Sequence, residues 1–391
     1  MQSLTAPDRL PTAGRPSARG RWIWIVSGVA TAGLVCLPVS LIVTRPPDGY
    51  SGNQFVQPES SSATVTIDAK VTSLDVASYG APIQVTTGPV QHVTVHEALT
   101  YDQADGSAPD VTALMSHGRL TLDAPSCAVS DCNVGFTVTV PSAVAVTAES
   151  DGGPITVSHV AGANLDSGGG NIQASYIDGP LTANAEGGSL NVVHVKSTAG
   201  ASLDSGGGPV YAVQIDGPLT VSADGGSVWV SGVTSSAMTS LDSGGGPINA
   251  SGIDGPLSAT AEGGGVTVNG LTGNLQADTG GGPFQGESLT GAKASVNSEG
   301  GSAGLTFTTA PASVMVDSGG GPVALSFGGA PTTVTVTTDG GSADLHVPGG
   351  PYAVLTNANG GTLTVEVPVA ANASRSLSVS TGGGPLDIAS S

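Results

Sequence analysis

Five aspartates, Asp166, Asp204, Asp242, Asp278 and Asp317, each stand three residues before a glycine in phrases such as LDSGGGP (203–209). The first three are 38 residues apart. Such oxygen-bearing corners could hold a hard cation, so these five are the candidate calcium ligands. Ca²⁺ needs six to eight oxygens, whereas each corner offers one carboxylate and a few carbonyls. The simpler role is local, an Asp hydrogen-bonding the backbone of its own turn, and no cofactor is required. Cys127 and Cys132, spaced C-x4-C, suit a small disulfide loop in an oxidising compartment. No further cysteine or neighbouring histidine completes a metal set. The six histidines are scattered, and the basic residues past position 45 are only Lys70, Arg119, Lys196, Lys293 and Arg375. With no G-x-S-x-G and no P-loop lysine, the residues point away from catalysis.

The elements that position these groups show in a repeat. Numbering each unit from a corner glycine (Gly152, 169, 187, 207, 225, 245, 263, 281, 300, 320, 340, 360 and 383) gives spacings of 17 to 23 residues, near 19. Position +3 is apolar in every unit, from Ile155 to Leu386, and +5 is apolar in all but one, where Gly286 stands. Position +4 is polar or amphipathic in most units (Thr156, Gln173, Asn191, Tyr211, Trp229). Alternation of this kind marks a short strand with one buried face. A second such strand precedes each corner, and Ile177, Ile215 and Ile253 recur at +8. One unit buries too little to fold alone, so units must stack. The predicted fold is all-β: a right-handed parallel β-helix, or solenoid, with coils of about 19 residues. At about 4.8 Å per coil, thirteen coils would make a rod of about 60 Å.

Glycine corners are expected where the backbone needs φ > 0. The 38-residue super-repeat has an electrostatic reading. Acids occupy −3 in LDSGGG units and −1 in alternate units (Asp151, Glu186, Asp224, Glu262, Glu299, Asp339). Like positions then recur every second coil, about 9.6 Å apart, beyond a Debye length of about 8 Å. Directly stacked carboxylates would repel by about 0.9 kcal/mol even in water. Tyr211 and Trp229, at +4 in successive coils, are expected to project outward where their rings could stack or hold a sugar, making them the candidate ligand-contact aromatics. His159 and His194 both fall at +7, two coils apart, and read as surface residues.

The N-terminal part differs. Residues 1–21 form a basic tail, and 22–44 (WIWIVSGVATAGLVCLPVSLIVT) carry no charge, long enough to cross a bilayer as one helix. The arginines before this run place the N-terminus in the cytoplasm. Residues 45–62 read as a linker, 63–150 as irregular first coils or a cap, and 151–391 as the regular repeats. Past residue 45 the chain has five basic residues and 29 acids, 5 − 29 = −24, which excludes nucleic acid as a partner. The last coil, GGGPLDIASS, is expected to leave an open strand edge, where a second copy could pair.

The stretch GFTVTVPSAVAVTAESDGGPITVSHVAG (135–162), strands running through a Val-Pro step into repeats with glycine corners, resembles the uncharacterised adhesin-like β-strand repeat family of bacterial envelope proteins. The resemblance implies a surface role and brings no catalytic residues. The expected function is a membrane-anchored, single-pass, non-catalytic surface protein acting in adhesion or envelope scaffolding, with a glycan or protein as ligand. The alternatives are a sensor ectodomain for envelope stress and, third, a carbohydrate-active β-helix.

Overall fold

The computed structural model describes residues 58–102, 111–124, 132–141 and 143–391. The run at 22–44 and Cys127 lie outside them. Among the described residues every regular element is a β-strand, and no helix is long and apolar enough to cross a membrane.

The strands fall into two sheets, A and B, that face each other across one core. The N-terminal seven are β1 (Pro58–Ile67), β2 (Ser73–Ser78), β3 (Ile83–Thr87), β4 (Val93–Asp102), β5 (Thr112–Ser116), β6 (Arg119–Asp123) and β7 (Asn133–Val140). From β8 (Ala145–Ser150) and β9 (Ile155–Val160) to β28 (Thr333–Thr337) and β29 (Ala343–Val347), 22 strands alternate strictly, even numbers in sheet B and odd in sheet A. A coil is therefore two strands, and 22/2 gives eleven coils in sequence order. As far as β27, each of these strands pairs in parallel with the strand two further on, as β9 does with β11 (Ile172–Ile177). The Val140–Pro141 step is where the chain crosses from β7 in sheet A to β8 in sheet B, and proline supplies no donor there.

The period-two pattern becomes the core directly. In β11 Ile172, Ala174 and Ile177 point inward, and the next strand of sheet B adds Leu181, Ala183 and Ala185, all buried. These six side chains offset only part of the entropy of ordering nineteen residues, so a coil is stable only on its neighbours. The missing side chain at Gly286 has a local reason: a Cβ there would sit 3.0 Å from both Phe284 and Leu289, which fill its space.

The corner works differently from the expectation. The hydroxyl at −2, not the acid, ties the turn. Buried Ser205 donates to the Gly208 carbonyl at 2.8 Å and to Gly188 of the preceding coil at 3.1 Å, and accepts from the Gly208 amide at 3.1 Å. Ser243 repeats this set one super-repeat later. An Asp-to-turn bond is made at Gly319 by Asp317, at 3.3 Å. Positive φ holds at the corner glycines Gly281, Gly300, Gly340, Gly360 and Gly383, but Gly207 and Gly208 do not have it. At Gly208 the reason is close approach. A Cβ on Gly208 would lie 2.2 Å from the carbonyl oxygen of Gly188, the corner beneath it.

Both ends depart from sequence order. At the N-terminal end the coil β2–β3 lies inside, because β6 and β7 pair on its outer side while β8 and β9 continue from its inner side. Antiparallel β4 and then β1 cover β7 in sheet A, and antiparallel β5 covers β6 in sheet B. Glu97 of β4 is buried in this cap, opposite Phe136. Its burial pushes the carboxyl above the usual range, against a weaker downward pull from His96. A folded pKa above the unfolded one gives stability that is full below the ordinary carboxylate pKa and declines as pH rises through the raised value. Glu97→Gln is thus expected to raise the melting temperature at pH 7, with the gain vanishing near about pH 4. Equal gains at both pH values would exclude the charge as the cause.

At the other end, β30 (Ala353–Asn357) and β31 (Leu363–Val365) are followed by β32 (Ser376–Ser380) and β33 (Leu386–Ser390). The last two insert beneath them: β32 pairs with β28 and β30, and β33 with β29 and β31. The expected open edge at GGGPLDIASS is therefore absent, because β33 is flanked on both sides. The outermost coil is β30–β31, whose Leu355 and Leu363 are exposed.

Candidate functional site

Three groupings on the rod bear chemistry. The first is the acid column of sheet B. Cα partners run Glu149, Asp166, Asn184, Asp204, Ser222, Asp242, Thr260, Asp278, Asn297, Asp317, Thr337. From Asp166 onward every aspartate is separated from the next by one neutral polar residue, the arrangement the charge-spacing argument requires. Some spacers bind their acid: Asn184 Nδ2 donates to Asp166 Oδ1 at 3.1 Å and Asn297 Nδ2 to Asp278 Oδ1 at 3.3 Å. The five candidate calcium ligands thus lie along one exposed column. Among the described residues no three His, Cys, Asp or Glu side chains converge as a metal set.

The second grouping is the outward face of sheet A. Tyr211 and Trp229 are Cα partners in adjacent coils, 42% and 55% exposed. Their rings do not stack; among the described residues the stacked pairs are elsewhere. Their column continues as Thr156, Gln173 and Asn191 on one side and Asn249, Thr267 and Gln285 on the other. This strip is uncharged, unlike sheet B.

The third grouping was not foreseen as a unit. At +7 eight consecutive coils hold a left-handed residue: His159 (φ 57°), Tyr176 (54°), His194 (58°), Gln214 (57°), Gly232, Gly252, Gly270 and Ser288 (54°). The residue is an extra one in the strand. Pairing runs Ser175 to Ser158, omits Tyr176 and His159, and resumes at Ile177 with Val160. The insertion turns +8 back into the core, which is why Ile177, Ile215 and Ile253 are buried three positions after a buried +5. The apolar +5/+8 spacing was the sequence signal for it. His159, Tyr176 and His194 form a continuous stack, with 4.6 Å between successive ring centroids and interplanar angles of 11° and 7°. A left-handed backbone costs a non-glycine residue about 1–3 kcal/mol, while an aromatic pair returns about 0.5–1.5 kcal/mol.

Beside the stack runs a groove of about 500 Å³. Its lining takes the +7 residues His159, Tyr176, His194 and Gln214, and the +9 residues Asp178, Lys196 and Asp216. Lys196 is the Cα partner of Asp216 and forms no ion pair among the described residues. Thr87 Oγ1 donates to the His159 carbonyl at 2.5 Å, fixing the near end. Nδ1 of His194 is sealed from solvent without a hydrogen-bond partner.

Cys132 is disulfide-bonded; Cys127 is outside the described residues.

No protein-family model matches the chain, and no curated protein matches it. Solved structures do. A chain described as a "putative adhesin" from Bacteroides fragilis is 13% identical, with a TM-score of 0.30, over 71% of this chain and 97% of its own length. Another so described, from Parabacteroides distasonis, is 13% identical with a TM-score of 0.28, over 73% and 97%. A "putative cell adhesion protein" from Clostridium sporogenes is 8% identical with a TM-score of 0.19, over 86% and 100%. These three bacterial proteins thus carry the descriptions "putative adhesin" and "putative cell adhesion protein", at identities of 13% and below. Another similar structure, from Parabacteroides distasonis and 8% identical, is described as a "putative lipid binding protein".

Proposed function

We propose that the chain is a single-pass, membrane-anchored surface protein, cytoplasmic at its N-terminus, whose right-handed solenoid acts in adhesion or envelope scaffolding without covalent chemistry. The observation that carries this reading is the uncharged strip of sheet A, with Tyr211 and Trp229 exposed and in register on adjacent coils. A stacked-coil scaffold holds two aromatics at fixed spacing on a flat face, where they offer large contact area at little entropic cost. The acidic remainder disfavours anionic partners, which leaves a neutral glycan or a protein surface as the ligand.

The test is binding of the full chain, in detergent micelles, to an array of surface glycans and to whole bacterial and host cells. Trp229→Ala is expected to weaken capture at least tenfold, with the melting temperature lowered by no more than a few degrees because the side chain is 55% exposed. Capture that survives Trp229→Ala and Tyr211→Ala together removes the strip as the contact. Cleavage of any glycan on the array would replace this reading with the carbohydrate-active one.

A further inference from the structure

The geometry points to a second, separate binding site: the groove beside the His159–Tyr176–His194 stack takes a neutral glycan strand laid along the rod axis. The proposal deepens the adhesion reading by naming a ligand class, and rests on it to that extent, but it uses different residues from Tyr211 and Trp229.

The backbone supplies the first argument. Three of the eight left-handed +7 positions carry glycine, which adopts that conformation freely. The four that line the groove carry His, Tyr, His and Gln instead. The chain therefore keeps left-handed residues with side chains in the four coils of the groove and relaxes to glycine in the next three, before Ser288 takes the position again. Four such residues in succession, three of them stacked rings, build a continuous ladder at a backbone cost that glycine would avoid.

The groove's chemistry supplies the second. Stacking hides the faces of Tyr176 and turns ring edges outward, so the stack offers C–H surface interrupted by a phenol hydroxyl and imidazole nitrogens. Opposite it stand carboxylate, ammonium and carboxylate, at Asp178, Lys196 and Asp216. Donors and acceptors thus alternate from coil to coil. A sugar hydroxyl both donates and accepts, and a pyranose ring carries C–H surface between its hydroxyls, so a glycan matches this lining atom for atom class. A polyanion would meet Asp178 and Asp216 on a chain that is strongly acidic past residue 45. A polycation would be drawn instead to the denser acid column of sheet B.

The test uses the full chain in detergent micelles, titrated calorimetrically with hexasaccharides of β-linked glucose, α-linked mannose and β-linked N-acetylglucosamine, with oligogalacturonate and spermine as charged comparators. At least one neutral hexasaccharide is expected to bind. Its affinity should fall at least tenfold in Tyr176→Gly and in Lys196→Ala, and should be unchanged in Met315→Ala, an exposed residue of sheet B away from both the groove and the strip. Tyr176→Gly should fold, because glycine holds the same position in later coils, and should melt no lower than the parent. A marked drop in its melting temperature would make the stack a structural staple and overturn the proposal. So would binding of oligogalacturonate as tight as that of the neutral strand, or no binding by any neutral hexasaccharide. Binding lost in Trp229→Ala but kept in Tyr176→Gly would overturn the groove while leaving the adhesion reading standing.

Discussion

Replacing Gly208 by Ala is expected to cost about 3 kcal/mol or more of stability, while the same change at the adjacent Gly207 is expected to stay within about 0.5 kcal/mol. The two differ by one position in a run of three glycines, and neither has positive φ. A Cβ on Gly208 would stand 2.2 Å from the oxygen and 2.5 Å from the carbon of the Gly188 carbonyl. Neither atom can yield, because Ser205 holds the Gly188 and Gly208 carbonyls together from inside. The only relief is to lift one coil off the next, which breaks the coupling that makes coils stable. A Cβ on Gly207 would find its nearest neighbours at 3.9 Å. Denaturant unfolding of the two variants, with protease susceptibility near residue 208, measures the difference. Similar stabilities would mean that the corners are not in van der Waals register.

The second large effect concerns the C-terminus. A chain ending at Ser374 lacks β32 and β33, and with them the strands that join β30 and β31 to the rest. Residues 349–374 would then hang from β29 with their apolar groups uncovered. A chain ending at Pro348 lacks four strands but stops on a complete coil. The longer truncation is therefore expected to be trimmed by protease to the size of the shorter one, and the two should melt within a few degrees of each other. Both should fall well below the intact protein, because both lack the buried Leu377, Val379, Leu386 and Ile388, each worth about 1.5–3 kcal/mol. Lasting protection of 349–374 in the longer truncation would show that β30 and β31 reach β28 and β29 unaided.

The stacked two-sheet architecture was legible because every inward position repeats: Ile172, Leu190, Val210 and Val228 follow one another at +3 with no exception. The acid spacing was legible for the same reason. Strand order at the ends was not. β2, β6 and β8 have the same alternation, so periodicity cannot say which of them pairs with which; that depends on which loops can reach. The role of Ser205 was hidden because a buried hydroxyl beside three glycines looks like ordinary turn composition. Tyr176 was not legible as part of a ladder, because His159 and His194 read as separate surface residues two coils apart and a tyrosine between them differs in type. Its register with His159 and His194 matters for ring stacking, which depends on coil spacing.

Sheet A carries acids too, at Asp216, Asp254, Asp344 and Asp387, so the contrast lies between two columns of side chains: the aspartates of sheet B, and the amides, hydroxyls and two aromatics at +4 of sheet A from Thr156 to Gln285. Counter-ions gather along the first column and are sparse over the second. A contact made through the +4 strip would release few ions and would differ little between dilute medium and concentrated brine, whereas one made through the aspartates would weaken steeply as salt rises.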